Sequence, residues 1–139
     1  MDSIISSSPE ETRNIAADFA RKLQHKDTVL LVGELGVGKT EFVKGIVDSL
    51  GGDSAMVSSP TFTLIHEYPV CGGVLYHVDL YRCDSEQSVA STGIEEILGR
   101  SLVVIEWPDR LGKIKPAHAW SIEIHMMKEG KRQLIISRY

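Results

Sequence analysis

Thr28-Val29-Leu30-Leu31-Val32-Gly33-Glu34-Leu35-Gly36-Val37-Gly38-Lys39-Thr40 decides how this chain folds. Residues 28–32 form an apolar run that reads as a buried strand, and residues 33–40 satisfy the G-x-x-x-x-G-K-[ST] pattern of a phosphate-binding loop. Its two fixed glycines, Gly33 and Gly38, let the backbone turn tightly and aim successive N–H groups inward at a helix N-terminus, where they cradle phosphate oxygens. Lys39 then reaches the β- and γ-phosphates, and Thr40 offers a hydroxyl to a magnesium ion. Residues 41–50 continue as a helix closed by Gly51. Strand, loop and helix follow in the required order, which separates this match from a chance glycine-rich turn. The chain is expected to bind a nucleoside triphosphate, with Gly33, Glu34, Leu35, Gly36, Val37, Gly38, Lys39 and Thr40 around the phosphates.

With 139 residues and 42% hydrophobic content, residues 1–139 are expected to form one domain with a real core and little room for a separate substrate domain. A net charge of -4 and scattered lysines and arginines give no basic stripe for a nucleic-acid backbone, so direct tRNA or DNA binding is disfavoured. Cys71 and Cys83 are too far apart for C-x-x-C chemistry and too few for a disulfide framework, as in a cytosolic protein with reduced thiols. Met1-Asp2-Ser3-Ile4-Ile5-Ser6 lacks a basic n-region and a long apolar run. No stretch elsewhere approaches the roughly 20 apolar residues that span a bilayer. A cytoplasmic location without membrane insertion is the expectation.

Ser8-Pro9-Glu10-Glu11 has the form of a capping box, opening a helix to about Leu23 whose Ile15, Ala16, Phe19 and Leu23 recur at helical spacing. After Gly51-Gly52, the polar turn residues of Val57-Ser58-Ser59-Pro60-Thr61-Phe62-Thr63-Leu64-Ile65-His66-Glu67-Tyr68 run into an alternating strand. Cys71-Gly72-Gly73 reads as a hairpin turn into a second, antiparallel strand, Val74-Leu75-Tyr76-His77-Val78-Asp79. A polar helical stretch begins at Ser85, and a short helix covers Ile94 to Leu98. Ser101-Leu102-Val103-Val104-Ile105 is a continuous apolar run of the kind found in central parallel strands. The 120–125 and 133–137 segments read as a terminal hairpin. The expected fold is a single α/β domain, P-loop NTPase-like, with a mixed parallel and antiparallel central sheet flanked by helices.

Open α/β sheets place ligands at the carboxyl ends of their strands, which makes strand-end acids the candidates for a second metal-binding element. Glu106 directly follows Val103-Val104-Ile105, the apolar run and carboxylate of a Walker B segment, and Asp79 ends the His77-Val78-Asp79 strand. Each can hold magnesium directly or through water, or orient the water that attacks the γ-phosphate; an acid in such a place can equally be a solvated cap. Ser58-Ser59-Pro60-Thr61 lies where a switch loop would sit, with Thr61 as its hydroxyl donor, although an ordinary proline-containing loop has the same composition. His66 and His77 lack a third soft ligand and are expected to be packed and hydrogen-bonded instead of metal-binding. Trp107 can pack beneath the nucleotide or face a partner, while Trp120 is expected in the core. Arg82 is kept as a candidate cation for the phosphates.

Taken in order, Gly33-Glu34-Leu35-Gly36-Val37-Gly38-Lys39-Thr40, Ser59-Pro60-Thr61-Phe62-Thr63-Leu64, His77-Val78-Asp79-Leu80-Tyr81-Arg82, Gly93-Ile94-Glu95-Glu96 and Glu106-Trp107-Pro108-Asp109-Arg110-Leu111 resemble the bacterial TsaE family, also called YjeE. These are small P-loop ATPases of tRNA threonylcarbamoyladenosine biosynthesis, and the resemblance covers nearly the whole chain. It implies that Thr40 and Glu106 bind magnesium, that Asp79 is needed for turnover of ATP, and that the 59–63 tract is a switch. It also implies that Thr12 lies close to the nucleotide. Lys39, Asp79 and Glu106 would thus be the catalytic set. The implied partners are TsaB and TsaD, the latter transferring a threonylcarbamoyl group from an adenylate to an adenosine beside the anticodon, so that tRNA is met only through the complex. The chain departs from the family at Glu41, where a second hydroxyl residue is common; its carboxylate favours the helix dipole and is expected to point away from the phosphates.

Two rivals share the loop. A small-molecule kinase needs an acceptor pocket and a mobile basic lid, yet residues 84–100 carry one arginine and no lysine. A regulatory GTPase finds a D-x-x-G match in Asp109-Arg110-Leu111-Gly112. The chain's single asparagine, Asn14, precedes the loop, however, which excludes a downstream Asn-Lys-x-Asp guanine reader.

Overall fold

The computed structural model describes residues 1–34 and 36–139. Among them run β1 (Asp2–Ser6), α1 (Pro9–Ala20), β2 (Thr28–Val32), α2 (Lys39–Ser49), β3 (Ile65–Val70), β4 (Gly73–Asp79), α3 (Glu86–Ala90), α4 (Ile94–Ile97), β5 (Leu102–Glu106), β6 (Ala119–Met126) and β7 (Arg132–Arg138). The strands make one mixed sheet in the order β1-β7-β6-β2-β5-β4-β3, with the P-loop strand at its centre. Strand β2 runs parallel to β5 and β6, and β4 runs parallel to β5, whereas β1–β7, β3–β4 and β6–β7 are antiparallel. The carboxyl ends of β2, β4, β5 and β6 therefore share one edge, the edge where parallel sheets bind ligands.

Both faces of the centre are covered, which is why 28–31 and 102–105 read as unbroken apolar runs. Alternate side chains serve two cores. Val29, Leu31, Val104, Ile122 and Ile124 meet Ala16, Phe19, Phe42, Val43 and Ile46 of α1 and α2. Leu30, Val78, Val103 and Ile105 meet Val89, Ile94 and Leu111 on the other side. No helix among the described residues is long and apolar enough to cross a membrane.

Helices α1 and α2 cross closely at Gly45, where an added Cβ would lie 2.3 Å from the Arg13 carbonyl oxygen and 2.7 Å from Ala16 Cβ. The obstacle is backbone, so the helices would have to separate. We expect Gly45→Ala to destabilise the fold by about 1–3 kcal/mol despite its better helix propensity. A thermal midpoint equal to that of the parent protein would refute the close crossing.

Several elements differ from their sequence-based bounds. Ser8 caps α1 by accepting from Glu11 N at 3.0 Å, but the returning Glu11 carboxylate takes the Ser7 N–H, at 2.6 Å. The helix stops at Ala20, and Lys22 and Leu23 continue it only as a tighter turn with i→i−3 bonds to Phe19 and Ala20. Strand β3 starts at Ile65 because the preceding chain coils: Leu64 N donates to the Pro60 carbonyl at 2.7 Å, and Leu64 adopts a left-handed φ of 71°. Pro69 sits inside β3, which is an edge strand and tolerates a residue without an N–H. Strand β1, unassigned from sequence, pairs with β7 while exposing four of its five residues, so it carries no buried alternation to read. The antiparallel β3–β4 and β6–β7 hairpins and the parallel position of β5 match expectation.

Candidate functional site

The loop after β2 is built on backbone that side chains would obstruct. Gly36 (φ 78°) and Gly38 (φ 115°) are left-handed, and Gly38 is the N-cap of α2. At Gly33 a Cβ would stand 2.7 Å from Val37 Cγ1 and 2.9 Å from the Ile124 carbonyl oxygen, so the loop's first turn is pressed against β6. Val37 is buried as an apolar anchor, and its carbonyl accepts from Arg132 Nε at 2.8 Å, tying the loop to β7. Glu34 is exposed at the rim, and Thr40 occupies the first turn of α2. The expected contact of Leu35 with phosphate falls on the one residue outside those described.

Lys39, only 6% exposed, turns back over the loop: its Nζ donates to the Gly33 carbonyl at 2.8 Å and lies 3.6 Å from Glu106 Oε1. The same ammonium sits 4.9 Å from the Trp107 ring centroid. Trp107 is left-handed (φ 58°), and Tyr81 packs on it at 4.8 Å between centroids. Such backbone strain in a residue without conformational need for it concentrates at functional sites.

The sheet register gathers the polar groups. Asp79 pairs with Glu106 and His77 with Val104 across the parallel β4–β5 ladder, while His66 and Tyr68 stand opposite His77 and Leu75 on β3. Because alternate residues share a face, His66, Tyr68, His77, Asp79 and Glu106 all project on the side of Val104 and Leu75, the side covered by α1 and α2. Glu106 is 4% exposed and its charge is matched from two directions: Lys39 faces Oε1, and His77 Nε2 donates to Oε2 at 2.5 Å. Asp79 is equally enclosed, with Oδ2 accepting from Thr61 Oγ1 at 2.9 Å and Oδ1 from the Tyr81 N–H at 2.8 Å. Ser59 and Thr61 share a hydrogen bond at 2.8 Å, so the 58–64 loop reaches the strand-end acid by its expected hydroxyl.

Among the described residues Thr40, Asp79 and Glu106 place hard oxygen donors at the site, while His77 is already turned onto Glu106. No group of three or more His, Cys, Asp or Glu side chains among the described residues forms a cage for one. The hydroxyl of Thr40 and the carboxylate of Glu106 suit magnesium, which takes one or two protein oxygens and completes its shell with water and phosphate.

Two hollows flank the loop. A cleft of about 550 Å³ opens between Val32, Gly33 and Glu34 on one side and Trp107, Asp109 and His125 on the other. A smaller one of about 60 Å³ lies among Thr12, Val37, Gly38, Glu41 and Arg132. Thr12 is therefore beside the loop, buried at 2% exposure with its hydroxyl 2.7 Å from Ser6 Oγ. Glu41 reaches Arg13 at 2.6 Å and Lys44 at 3.7 Å, bridging α1 and α2. Its charge is compensated before any phosphate arrives. We expect Glu41→Thr to change ATP affinity less than about threefold and stability by at most about 1 kcal/mol, as for other partly exposed pairs. Calorimetric titration showing a larger shift in affinity would give Glu41 a direct part in binding.

Arg82 lies in the open, stacked on the equally exposed Phe62 at 5.3 Å, and Arg110 is spent on the Cys83 carbonyl at 2.8 Å. Trp120 is half-buried against Phe19, its Nε1 donating to Asp27 at 3.3 Å. Sequence reasoning placed His77 correctly as a packed, hydrogen-bonded residue, but not its partnership with Glu106, and it passed over Tyr68 and Arg132. The order of charged and aromatic residues holds no signal for these, because each depends on which strands become neighbours.

A family model described as threonylcarbamoyl adenosine biosynthesis protein TsaE matches residues 6–134. The chain is 37% identical over 128 residues to the tRNA threonylcarbamoyladenosine biosynthesis protein TsaE of Rickettsia bellii (strain RML369-C), covering 92% of this chain and 89% of that one. It is 36% identical to the protein of the same name from Aquifex aeolicus (strain VF5), covering 97% and 95%, and 35% identical to that of Bacillus subtilis (strain 168), covering 91% and 78%. A crystal structure of Bacillus subtilus YdiB superposes with a TM-score of 0.75 at 29% identity, over 99% of this chain and 84% of that chain. The match spans the phosphate loop, the buried acids and the β3–β4 hairpin, and the chain belongs to the TsaE family of threonylcarbamoyl adenosine biosynthesis proteins.

Proposed function

We propose that this protein binds Mg-ATP on its 33–40 loop and hydrolyses it, slowly alone and faster as an accessory to TsaB and TsaD in tRNA threonylcarbamoyladenosine formation. The observation that carries this reading is the opposition of Lys39 and Glu106 at the carboxyl edge of the sheet, 3.6 Å apart and both nearly buried. An ammonium and a carboxylate so placed can part company when phosphate takes the first and a divalent cation the second. Magnesium held by Thr40 and Glu106 would neutralise charge on the β- and γ-phosphate oxygens.

Every other part is played by the chain itself. Lys39 exchanges Glu106 for phosphate oxygens while keeping its bond to the Gly33 carbonyl. The N-terminus of α2 and the left-handed glycines turn N–H groups onto the phosphates. Asp79, fixed by Thr61 and the Tyr81 N–H, either orients the attacking water or reaches the metal through water. Trp107 excludes solvent beneath Lys39. The net charge of -4 supports contact with tRNA through partners and not directly, in a cytoplasmic complex.

The deciding experiment is steady-state ATP hydrolysis by the purified chain, alone and with TsaB and TsaD, against Lys39→Ala as the blank. Partner-stimulated, Lys39-dependent turnover supports the accessory ATPase. The kinase rival would use the 550 Å³ cleft as its acceptor pocket. Label from γ-phosphate appearing on an added acceptor instead of in inorganic phosphate would favour it.

A further inference from the structure

A buried chain of hydrogen bonds leads from Glu106 away from the nucleotide site. His77, with no exposed surface, donates Nε2–H to Glu106 at 2.5 Å, and its Nδ1 lies 3.2 Å from the Tyr68 hydroxyl. A neutral imidazole that gives its proton to the carboxylate leaves Nδ1 as an acceptor, which the Tyr68 O–H can fill. With its one proton on His77, the Tyr68 oxygen accepts in turn from the Ser58 N–H at 3.3 Å, while the Ser58 carbonyl, 3.1 Å from the phenol, is left to His66 Nδ1 at 3.2 Å. Burial holds the Tyr68 phenol above its ordinary pKa, against the lowering hydrogen bond from Ser58 and with a smaller push from the negative charge of Glu106, so it keeps the proton this chain requires. Ser58 is the first residue of the loop that carries Thr61 to Asp79.

We propose that Tyr68 and His77 are positioning residues that fasten the base of the 58–64 loop to the carboxylate of Glu106. The link deepens the nucleotide reading above and takes its purpose, but not its existence, from that reading. The loop has two moorings, Ser58 through Tyr68 and His77 to Glu106, and Thr61 to Asp79. Between them Leu64 holds a left-handed φ of 71° closed by its bond to Pro60, a strained turn that persists only while its surroundings enforce it. One Glu106 oxygen faces Lys39 and the other is pinned by His77. A change of partner at the first oxygen therefore pulls on the second and is passed to Ser58 without any contact between Glu106 and the loop. Edge strand β3 supplies Tyr68 and β4 supplies His77, so the relay also crosses three strands at fixed register.

The test uses the nucleotide-free protein, so that its failure and a failure of ATP binding are separate results. Amide hydrogen exchange would be followed over residues 58–64 in Tyr68→Phe, Glu106→Met and the double variant, with Glu106→Ala as the substitute should Glu106→Met not fold. Tyr68→Phe should speed exchange there about fivefold, the worth of one hydrogen bond. Glu106→Met should do the same from a distance, and the double variant should be no faster than either single one, since both cut one chain. His77→Gln, which can keep a donor on Glu106 while abandoning Tyr68, should match Tyr68→Phe. Exchange at 58–64 unaltered by Glu106→Met and Glu106→Ala, or multiplying independently in the double variant, overturns the proposal. Loss of protection across the whole sheet would likewise overturn it, marking the residues as general supports of the fold.

Discussion

Lys39→Ala is expected to lower the proposed ATP hydrolysis to the assay background and to weaken nucleotide affinity by roughly 10–100-fold, the span for losing charge-assisted hydrogen bonds to phosphate. The geometry gives the substitution a second consequence. Glu106 loses the cation 3.6 Å from Oε1 and is left with His77 alone, in a site only 4% exposed. A buried charge deprived of one partner destabilises the fold by up to a few kcal/mol. The variant should therefore melt below the parent protein even without nucleotide, and Lys39→Ala combined with Glu106→Gln should recover part of that loss. Thermal midpoints separate the two effects, because nucleotide binding plays no part in the second. Hydrolysis at the parent rate by a folded Lys39→Ala variant would remove Lys39 from the site.

The contrast between Lys39 and its surroundings shows what a sequence can disclose. The loop is legible because its requirements are local: glycine where φ is positive at 36 and 38, glycine where a Cβ would strike Ile124 at 33, and a helix starting at once. Glu106 is legible as an acid at the ligand edge because it directly follows a buried apolar run, but a solvated cap reads the same in sequence, and only its 4% exposure in the fold separates the two. His77 and Tyr68 are not, since the first meets Glu106 across 29 residues and the meeting requires that β4 and β5 be neighbours in one particular register. Periodicity tells which face a residue takes but not which strand lies beside it. Arg132, 95 residues from the Val37 carbonyl it holds, is hidden for the same reason. The start of β3 was obscured by a different cause: the alternation of 61–68 is that of a strand, but Pro60 and the strained Leu64 close its first residues into a turn.

Glu106→Ala should have an effect whose sign depends on magnesium. On the proposed reading Glu106, 3.6 Å from Lys39, would compete with phosphate for that lysine and cooperate with it through the cation, so one carboxylate would oppose binding of free ATP and favour binding of Mg-ATP. Its removal is expected to leave affinity for ATP in excess chelator equal or higher, to abolish the gain in affinity on adding magnesium, and to slow turnover by roughly 100-fold or more, about 2.7 kcal/mol of lost transition-state stabilisation. The His77 Nε2–H also loses its acceptor, at a stability cost of about 1–3 kcal/mol, so the comparison belongs well below the variant's melting temperature. Titrations with and without magnesium measure the sign directly. If Glu106→Ala weakened ATP equally in both conditions, the carboxylate would be a support for the loop's shape and the metal would have to be sought at Asp79, whose two oxygens are already engaged by Thr61 and the Tyr81 N–H. On the proposed reading those engagements would favour Asp79 as the holder of a water, and Glu106, with one oxygen facing only Lys39, as the group to take a cation.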